Sequence, residues 1–381
     1  MSQATRMRNW RPAKLEDLVF FQRGFDITQA QQRSGPYPVI SSSGVTSYHD
    51  AFKAIGPGVV IGRKGTLGSI HFSLGEYWPH DTTLWSKDLK GNNPRFIYYF
   101  LHTLDLKRFD VGNSNPTLNR NHIHDLPIRI PPVPIQDEID HVLSAYDDLR
   151  ENNRRRMALL EQAAQQLYKE WFVRLRFPGH EHTRITNGVP DGWEQMPTPN
   201  AIDINPRTQL SNKEEHWHVE MSDLSTDSMV IRSAVKRTEK SGSKFCNGDT
   251  LLARITPCLE NGKTGFVNFM ADGEVGRGST EFMVLRSKRV TPEFVYCLAR
   301  AYSFRQNAIK SMIGSSGRQR VQESCFEKFM VWIPSGSLLR LFTDFVEPLF
   351  AEIKTLHLQN QKLRAVRDLL LPRLMSGEIE A

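Results

Sequence analysis

The sequence predicts an α/β (α+β) protein. Two similar mixed domains each run into a long helix, and the two helices pair as an antiparallel coiled coil about a pseudo-two-fold axis. Three observations predict this. Patterns in the first half recur in order in the second. Short apolar runs bounded by Gly, Pro, Asn and Ser alternate with short helical patterns in each copy. A heptad stripe then follows each copy.

The repeat sets the order. Gly58–Ile61 and Thr66 read like Gly248–Leu251 and Thr256. His80-Asp81-Thr82-Thr83-Leu84 is echoed by Gly278-Ser279-Thr280-Glu281-Phe282. Pro94–Tyr98 matches Pro292–Tyr296, and Leu126–Pro131 matches Phe329–Pro334. Trp10 and Trp193 lie 183 residues apart, whereas Asn153 and Asn360 lie 207 apart, a drift that loop insertions explain. A repeat this long means two copies of one domain rather than a solenoid. Val59–Ile61, Ser69–Phe72, Thr250–Ala253, Thr264–Phe269 and Phe282–Leu285 read as strands. Arg95–Leu104 and Pro292–Ala301 read as short helices. The second copy is longer before Val219, where no counterpart is obvious. The division is 1–134, 135–178, 179–334 and 335–381: domain, helical spacer, domain, helical spacer.

In the first spacer, Ile139, Tyr146, Asn153, Leu160 and Leu167 take heptad position a. Val142, Leu149 and Ala163 take d, flanked at e by Leu143, Met157, Ala164 and Trp171. In the second, Leu339, Val346, Ile353, Asn360, Arg367 and Leu374 take a, and Phe342, Leu349, Leu356, Leu363 and Leu370 take d. Such stripes indicate a coiled coil. Asn153 and Asn360 interrupt both stripes at matching places, where a buried polar residue fixes register at a cost in stability. Asn153→Leu is therefore expected to stabilise the helices or blur their register. Arg367 marks an expected end of the buried stripe, and Pro348 is expected to kink or restart the second helix. The plainer alternative is two amphipathic helices packed on their own domains.

Composition excludes several classes. The 381 residues are 39% apolar and 24% charged, in the ordinary range for a globular protein. Four cysteines (Cys246, Cys258, Cys297, Cys325) show no CxxC spacing, which disfavours a disulfide framework. Neither an apolar leader nor a run of about 18 apolar residues is visible, so a cytoplasmic location without a membrane partner is expected. Gly262-Lys263-Thr264 resembles the end of a P-loop, but Pro257 stands where its first glycine should. GxGxxG, GxSxG and HExxH are absent. Of the pairs His122/His124, His180/His182 and His216/His218, none has further ligands at metal-site spacing. No catalytic residue, metal ligand or cofactor site is read in this chain.

Polar and basic loops recur at matching places. In the first copy they carry Ser42, Ser43, Arg63, Lys64, Thr66, His80, Thr82, Asn113, Asn115 and Arg120. In the second they carry Arg254, Thr256, Lys263, Arg277, Ser279, Ser315, Ser316, Arg318, Gln319 and Arg320. Arg suits guanine edges and Asn or Gln suits adenine. Ser, Thr and Lys hold phosphates. The net charge is +7. Residues 1–134 carry +6, 179–334 carry +2, and the spacers are near neutral. Phosphate attraction should therefore be stronger in the first copy.

With these stretches in this order, twice, the sequence resembles the specificity (S) subunits of type I restriction–modification systems. The matching stretches include Gly58–Ile70, Asp148–Trp171, Asn247–Val267, Gly278–Leu285 and Val366–Glu378. The resemblance implies two target-recognition domains that each read half of a split site in double-stranded DNA. It implies conserved helices that set the gap and dock two methyltransferase (M) subunits, with restriction (R) subunits joining them. S-adenosylmethionine, ATP and magnesium would then be held by those partners, and none by this chain. The competing readings are a stand-alone DNA-modifying or DNA-cleaving enzyme and a coiled-coil adaptor that binds only protein.

A ~30-residue helix is ~45 Å long, so the spacers are expected to act as a ruler. Deleting one heptad (~10.5 Å) from each helix should shorten the preferred gap by ~3 base pairs at ~3.4 Å each. Binding to duplexes of graded gap length measures this, and an unchanged preference would remove the ruler.

Overall fold

In the computed structural model, which describes residues 10–109, 117–210, 214–238, 241–315 and 317–381, the first copy is organised by the strand Gly58–Gly62. All of that strand is buried. Side chains alternate across a strand, so Val59 and Ile61 enter one core while Val60 joins Ile40 and Tyr77 in another. The strand lies third in an antiparallel sheet ordered Phe20–Arg23, Thr83–Asp88, Gly58–Gly62, Ile70–Ser73. The helix Pro94–His102 contributes Phe96, Ile97 and Phe100 to the Val59 core. Asn93 caps it by accepting the Phe96 N–H at 2.9 Å, and Pro94 occupies the first turn, where no donor is needed. A second sheet places Tyr37–Ser41 between Gly44–His49, antiparallel, and Trp78–Pro79, parallel. Arg11–Lys14 pairs separately with Pro127–Ile130.

The second copy repeats the main sheet strand for strand and enlarges the second sheet by one strand. Its main sheet runs Ile202–Ile204, Phe282–Ser287, Thr250–Ala253, Thr264–Phe266. Its second sheet again holds a parallel pair, His216–Val219 with Gly276–Gly278, here flanked on both sides by Val235–Arg237 and Ser243–Phe245. Glu194–Pro197 pairs with Met330–Ile333, and the short helix is Pro292–Arg300. The segment before Val219 thus has its counterpart after all, in Tyr37–Ser41. Only the inserted turns, among them the Ile185–Thr186/Val189–Pro190 hairpin, obscured it.

The long helices are Val133–Tyr168, continued by a wide turn through Val173, and Gly336–Met375. Packing groups the chain into residues 1–150 with 362–381, and residues 151–361. The sequence division into four segments follows element ends, whereas packing shares each helix between both units.

Within each unit the helices run antiparallel. In the second, Arg156 pairs with Glu352 at 2.9 Å, Tyr168 meets Phe342 edge-on, and Asn153 Nδ2 donates to Asn360 Oδ1 at 3.0 Å. In the first, Arg367 sits 3.7 Å from Asp147, and Leu143, Leu371 and Leu374 share one core.

Three helix expectations are corrected. The first seam runs through positions a and e rather than a and d. Leu143, Met157, Ala164 and Trp171 are buried, whereas Leu149 and Ala163 are exposed. Steps of four then three satisfy the same 3.5-residue period, so leucine positions alone do not choose between the two labels. Arg367 does not end the stripe. It is covered and paired with Asp147 and Asp368, and burial continues to Leu374. Pro348 does not restart the second helix. It lies on an exposed face inside the continuous helix Gly336–Met375.

A buried carboxylate also ties helix to domain in the second unit. Glu161 accepts the Met229 N–H at 2.8 Å and the Tyr296 hydroxyl proton, with Arg300 4.0 Å away. Burial raises its carboxyl above the usual range.

The Asn pair changes the expectation for Asn153. Asn153→Leu alone should now cost about 1–2 kcal/mol, since Asn360 loses a buried donor. Replacing Asn153 and Asn360 together by Leu should be more stable than either single variant. Urea unfolding of the four proteins measures this.

Candidate nucleic-acid interface

The strand ends that leave the two central sheets carry the candidate residues, and the same backbone hydrogen bonds fix them in both units. The Thr82 carbonyl accepts the Arg63 N–H at 2.8 Å, and the Glu281 carbonyl accepts the Arg254 N–H at 3.0 Å. The Arg63 carbonyl accepts from Leu118, and the Arg254 carbonyl from Val321, each at 2.9 Å. The Ile40 carbonyl accepts from His80 at 2.9 Å, and the Val219 carbonyl from Ser279 at 3.1 Å. These pairs make Arg63 equivalent to Arg254, Thr82 to Glu281, and His80 to Ser279. The sequence echo of His80–Leu84 with Gly278–Phe282 is therefore one residue out of step. The ladder aligns Gly62–Thr83 with Ala253–Phe282.

In the first unit the structure brings together Ser42, Ser43, Arg63, Lys64, Thr66, His80 and Thr82. The Ser42 N–H donates to Thr82 Oγ1 at 3.3 Å, and His80 Nδ1 lies 3.0 Å from the same hydroxyl. Lys64 bridges to Thr117, and its N–H reaches the Thr82 carbonyl. The turn after Gly62 is too tight for any side chain there, because a Cβ would sit 2.2 Å from the Thr66 carbonyl oxygen. Ser42 is buried, with its carbonyl accepting from Ser69 Oγ, so it braces the loops rather than facing outward. Ser43, Lys64 and Thr66 are exposed. Arg63 is half-buried, and its Nη1 has no hydrogen-bond partner. Arg120 lies elsewhere, over the Phe20 ring beside His124. His124 Nε2 accepts the Phe21 N–H at 3.0 Å, a structural role, and burial lowers its pKa. Asn113, Asn115 and Ser316 lie outside the described residues.

The second unit gathers Arg254, Thr256, Ser279, Gln319 and Arg320 around Glu281. The Gln319 carbonyl accepts the Thr256 N–H at 3.0 Å. Arg320 holds Glu281 through both carboxylate oxygens, at 2.7 and 3.0 Å, and Arg254 Nε approaches at 3.4 Å. Ser315 and Arg318 sit exposed on the adjoining turn. Lys263 and Arg277 do not join this cluster. Lys263 Nζ donates to the Met221 carbonyl at 2.7 Å, and Arg277 is buried in the second sheet opposite His218 and Lys244.

Glu281, the acid at the centre of this cluster, is a residue that the sequence reading passed over. Its signal was an acid where the first copy has hydroxyls. Hydrogen bonds from Arg320 hold its carboxyl below the usual range. Among the described residues no three His, Cys, Asp or Glu side chains converge to hold a metal. Nor is any helix there long and apolar enough to cross a membrane.

The fold is a duplicated α+β unit with polar strand-end loops, each copy carrying an antiparallel helix pair. Comparison with known proteins shows what it is similar to. Residues 7–162 match the family model described as type I restriction modification DNA specificity domain. The type I restriction enzyme MjaIX specificity subunit of Methanocaldococcus jannaschii is 25% identical over 306 residues, covering 74% of this chain and 68% of that protein. The EcoAI specificity subunit of Escherichia coli is 30% identical over 154 residues, covering 38% of this chain but only 26% of its own length. The crystal structure of a type I restriction–modification system S subunit from M. genitalium shares the fold. Its TM-score is 0.59 at 14% identity, over 96% of both chains. Residues 7–162 thus match a type I restriction modification DNA specificity domain, and the chain is similar over most of its length to a type I specificity subunit. Its relatives are named as specificity subunits, which agrees with a non-enzymatic recognition role.

A folded-state carboxyl held low contributes stability that is present above the unfolded pKa of about 4.3 and is lost as pH falls through the lower folded value. The melting-temperature difference between wild type and Glu281→Gln should therefore shrink as pH falls from about 6 to 3. A difference independent of pH would show that the ion pairs to Glu281 add nothing to the fold.

Proposed function

We propose that this chain is the DNA-recognition subunit of a cytoplasmic type I complex and reads a split, two-part duplex site with one half assigned to each unit. The observation that carries this reading is the pair of equivalent loop clusters, Arg63/Thr82/Thr117 and Arg254/Glu281/Arg320, fixed by matching backbone contacts. Two copies of one scaffold with different side chains at equivalent points suit two different half-sites. Ser43, Lys64, Thr66, Ser315 and Arg318 are exposed and suited to phosphate or base edges; Asn113, Asn115 and Ser316, outside the described residues, suit them by residue type alone. Thr256, Ser279 and Gln319 shape the second cluster. Arg120, Lys263 and Arg277, placed apart, are the weakest members of the proposed set.

In this proposal two methyltransferase subunits dock on the chain and restriction subunits join the complex. S-adenosylmethionine, ATP and magnesium belong to those partners. The near-neutral helices suit protein-facing surfaces better than a DNA backbone.

Arg254→Ala or Arg318→Ala, tested in the chain assembled with its methyltransferase subunit, should weaken binding about tenfold or more. The loss should be confined to duplexes that retain the second unit's half-site. Competition with duplexes altered in one half at a time measures it. Equal loss at both half-sites would contradict the assignment of one half to each unit.

A further inference from the structure

Arginines at a DNA-facing loop have two uses. They can attract any phosphate, or they can be held at an angle that suits a base edge. The two units differ in which use their side chains favour. In the first, the Thr82 carbonyl holds the Arg63 N–H, the half-buried Arg63 side chain meets no carboxylate among the described residues and keeps a covered, unpaired Nη1, and Lys64 is exposed. In the second, Glu281 occupies the position of Thr82 and Arg320 that of Thr117, each fixed by the same ladder contacts. The Glu281 carboxylate is two-thirds or more covered and takes three contacts from Arg320 and one from Arg254. Glu323 stands 3.9 Å from Arg254 on its other side. The cluster that holds two arginines is therefore close to neutral.

We propose that Glu281 is a specificity-determining residue of the second unit: it neutralises Arg254 and Arg320 against phosphate and holds their guanidinium planes for base edges. A carboxylate near the duplex repels every phosphate regardless of sequence, so it weakens binding to all DNA. Only a site whose bases accept hydrogen bonds from the ordered arginines recovers that loss. The bidentate Arg320 contact fixes a plane as well as a charge, which a lone arginine cannot do. The first unit, lacking this acid and carrying more net positive charge, supplies the sequence-independent attraction. This inference rests on the reading that the loop clusters face DNA.

The test compares wild type, Glu281→Gln, Glu281→Thr, Arg254→Ala and Arg320→Ala, each as the full chain assembled with its methyltransferase subunit. Glu281→Thr installs the residue of the first unit. The probes are a duplex bearing the two-part motif methylated in the host genome and a scrambled duplex of equal length, titrated over a range of salt. Both Glu281 variants should bind the scrambled duplex about three- to tenfold more tightly at low salt. Their log-affinity against log-salt slope should steepen by about one to two as one or two arginines become free for phosphates. Their preference for the motif should fall at least tenfold. Unchanged slope and preference in both variants, with Arg254→Ala and Arg320→Ala still weakening motif binding, would overturn the role of Glu281 while leaving the DNA-facing reading intact. No change in any variant would overturn both. Thermal melts of each variant establish that it is folded.

Discussion

An amphipathic helix needs a second apolar surface, and most of this structure follows from how that need is met. The two long helices present apolar seams too long for one domain to cover. Each unit solves this with an antiparallel helix pair. Ile139 and Leu143 lie with Leu371 and Leu374 in the first core, and Met157 and Ala164 lie with Val346 and Ile353 in the second. The first unit is therefore not contiguous in sequence, whereas the second is the single stretch 151–361. The first takes residues 362–381 and the second residues 151–178, so the helices cannot be removed without opening both cores. The Asn153–Asn360 pair sets the register in one seam, and the Asp147–Arg367 pair does so in the other.

On this foundation each copy fixes its loops through the same set of backbone contacts. The backbone hydrogen bonds from Arg63 and Arg254 to the facing strand owe nothing to side-chain identity. The loop side chains are then free to differ. Thr82 gives way to Glu281 and Thr117 to Arg320 without disturbing the ladder. A recognition protein needs this separation between a fixed frame and exchangeable reading groups.

Much of this was legible in the sequence. The strands Thr250–Ala253 and Gly58–Gly62, the helix Pro292–Arg300 with its leading proline, and the paired asparagines all follow from local patterns. The first seam was misplaced because a and e repeat with the same period as a and d, and only the opposing helix distinguishes them. The repeat was aligned one residue off at His80 because Gly and Ser match loosely, whereas a ladder admits only one register. Lys263 and Arg277 looked like surface cations, yet one donates to a main-chain carbonyl and the other is buried. Charge alone does not reveal which face of a strand is covered. Glu281 was missed because an acid is not sought among residues chosen for their affinity for phosphate.

The central claim is that one chain reads two half-sites through two equivalent frames. Mapping of methylated adenines across a genome that carries this chain with its methyltransferase partner tests it most directly. The account predicts a motif of two defined halves separated by an unspecified gap of constant length, abolished when this chain alone is deleted. A single uninterrupted motif, or methylation that persists without the chain, would contradict it.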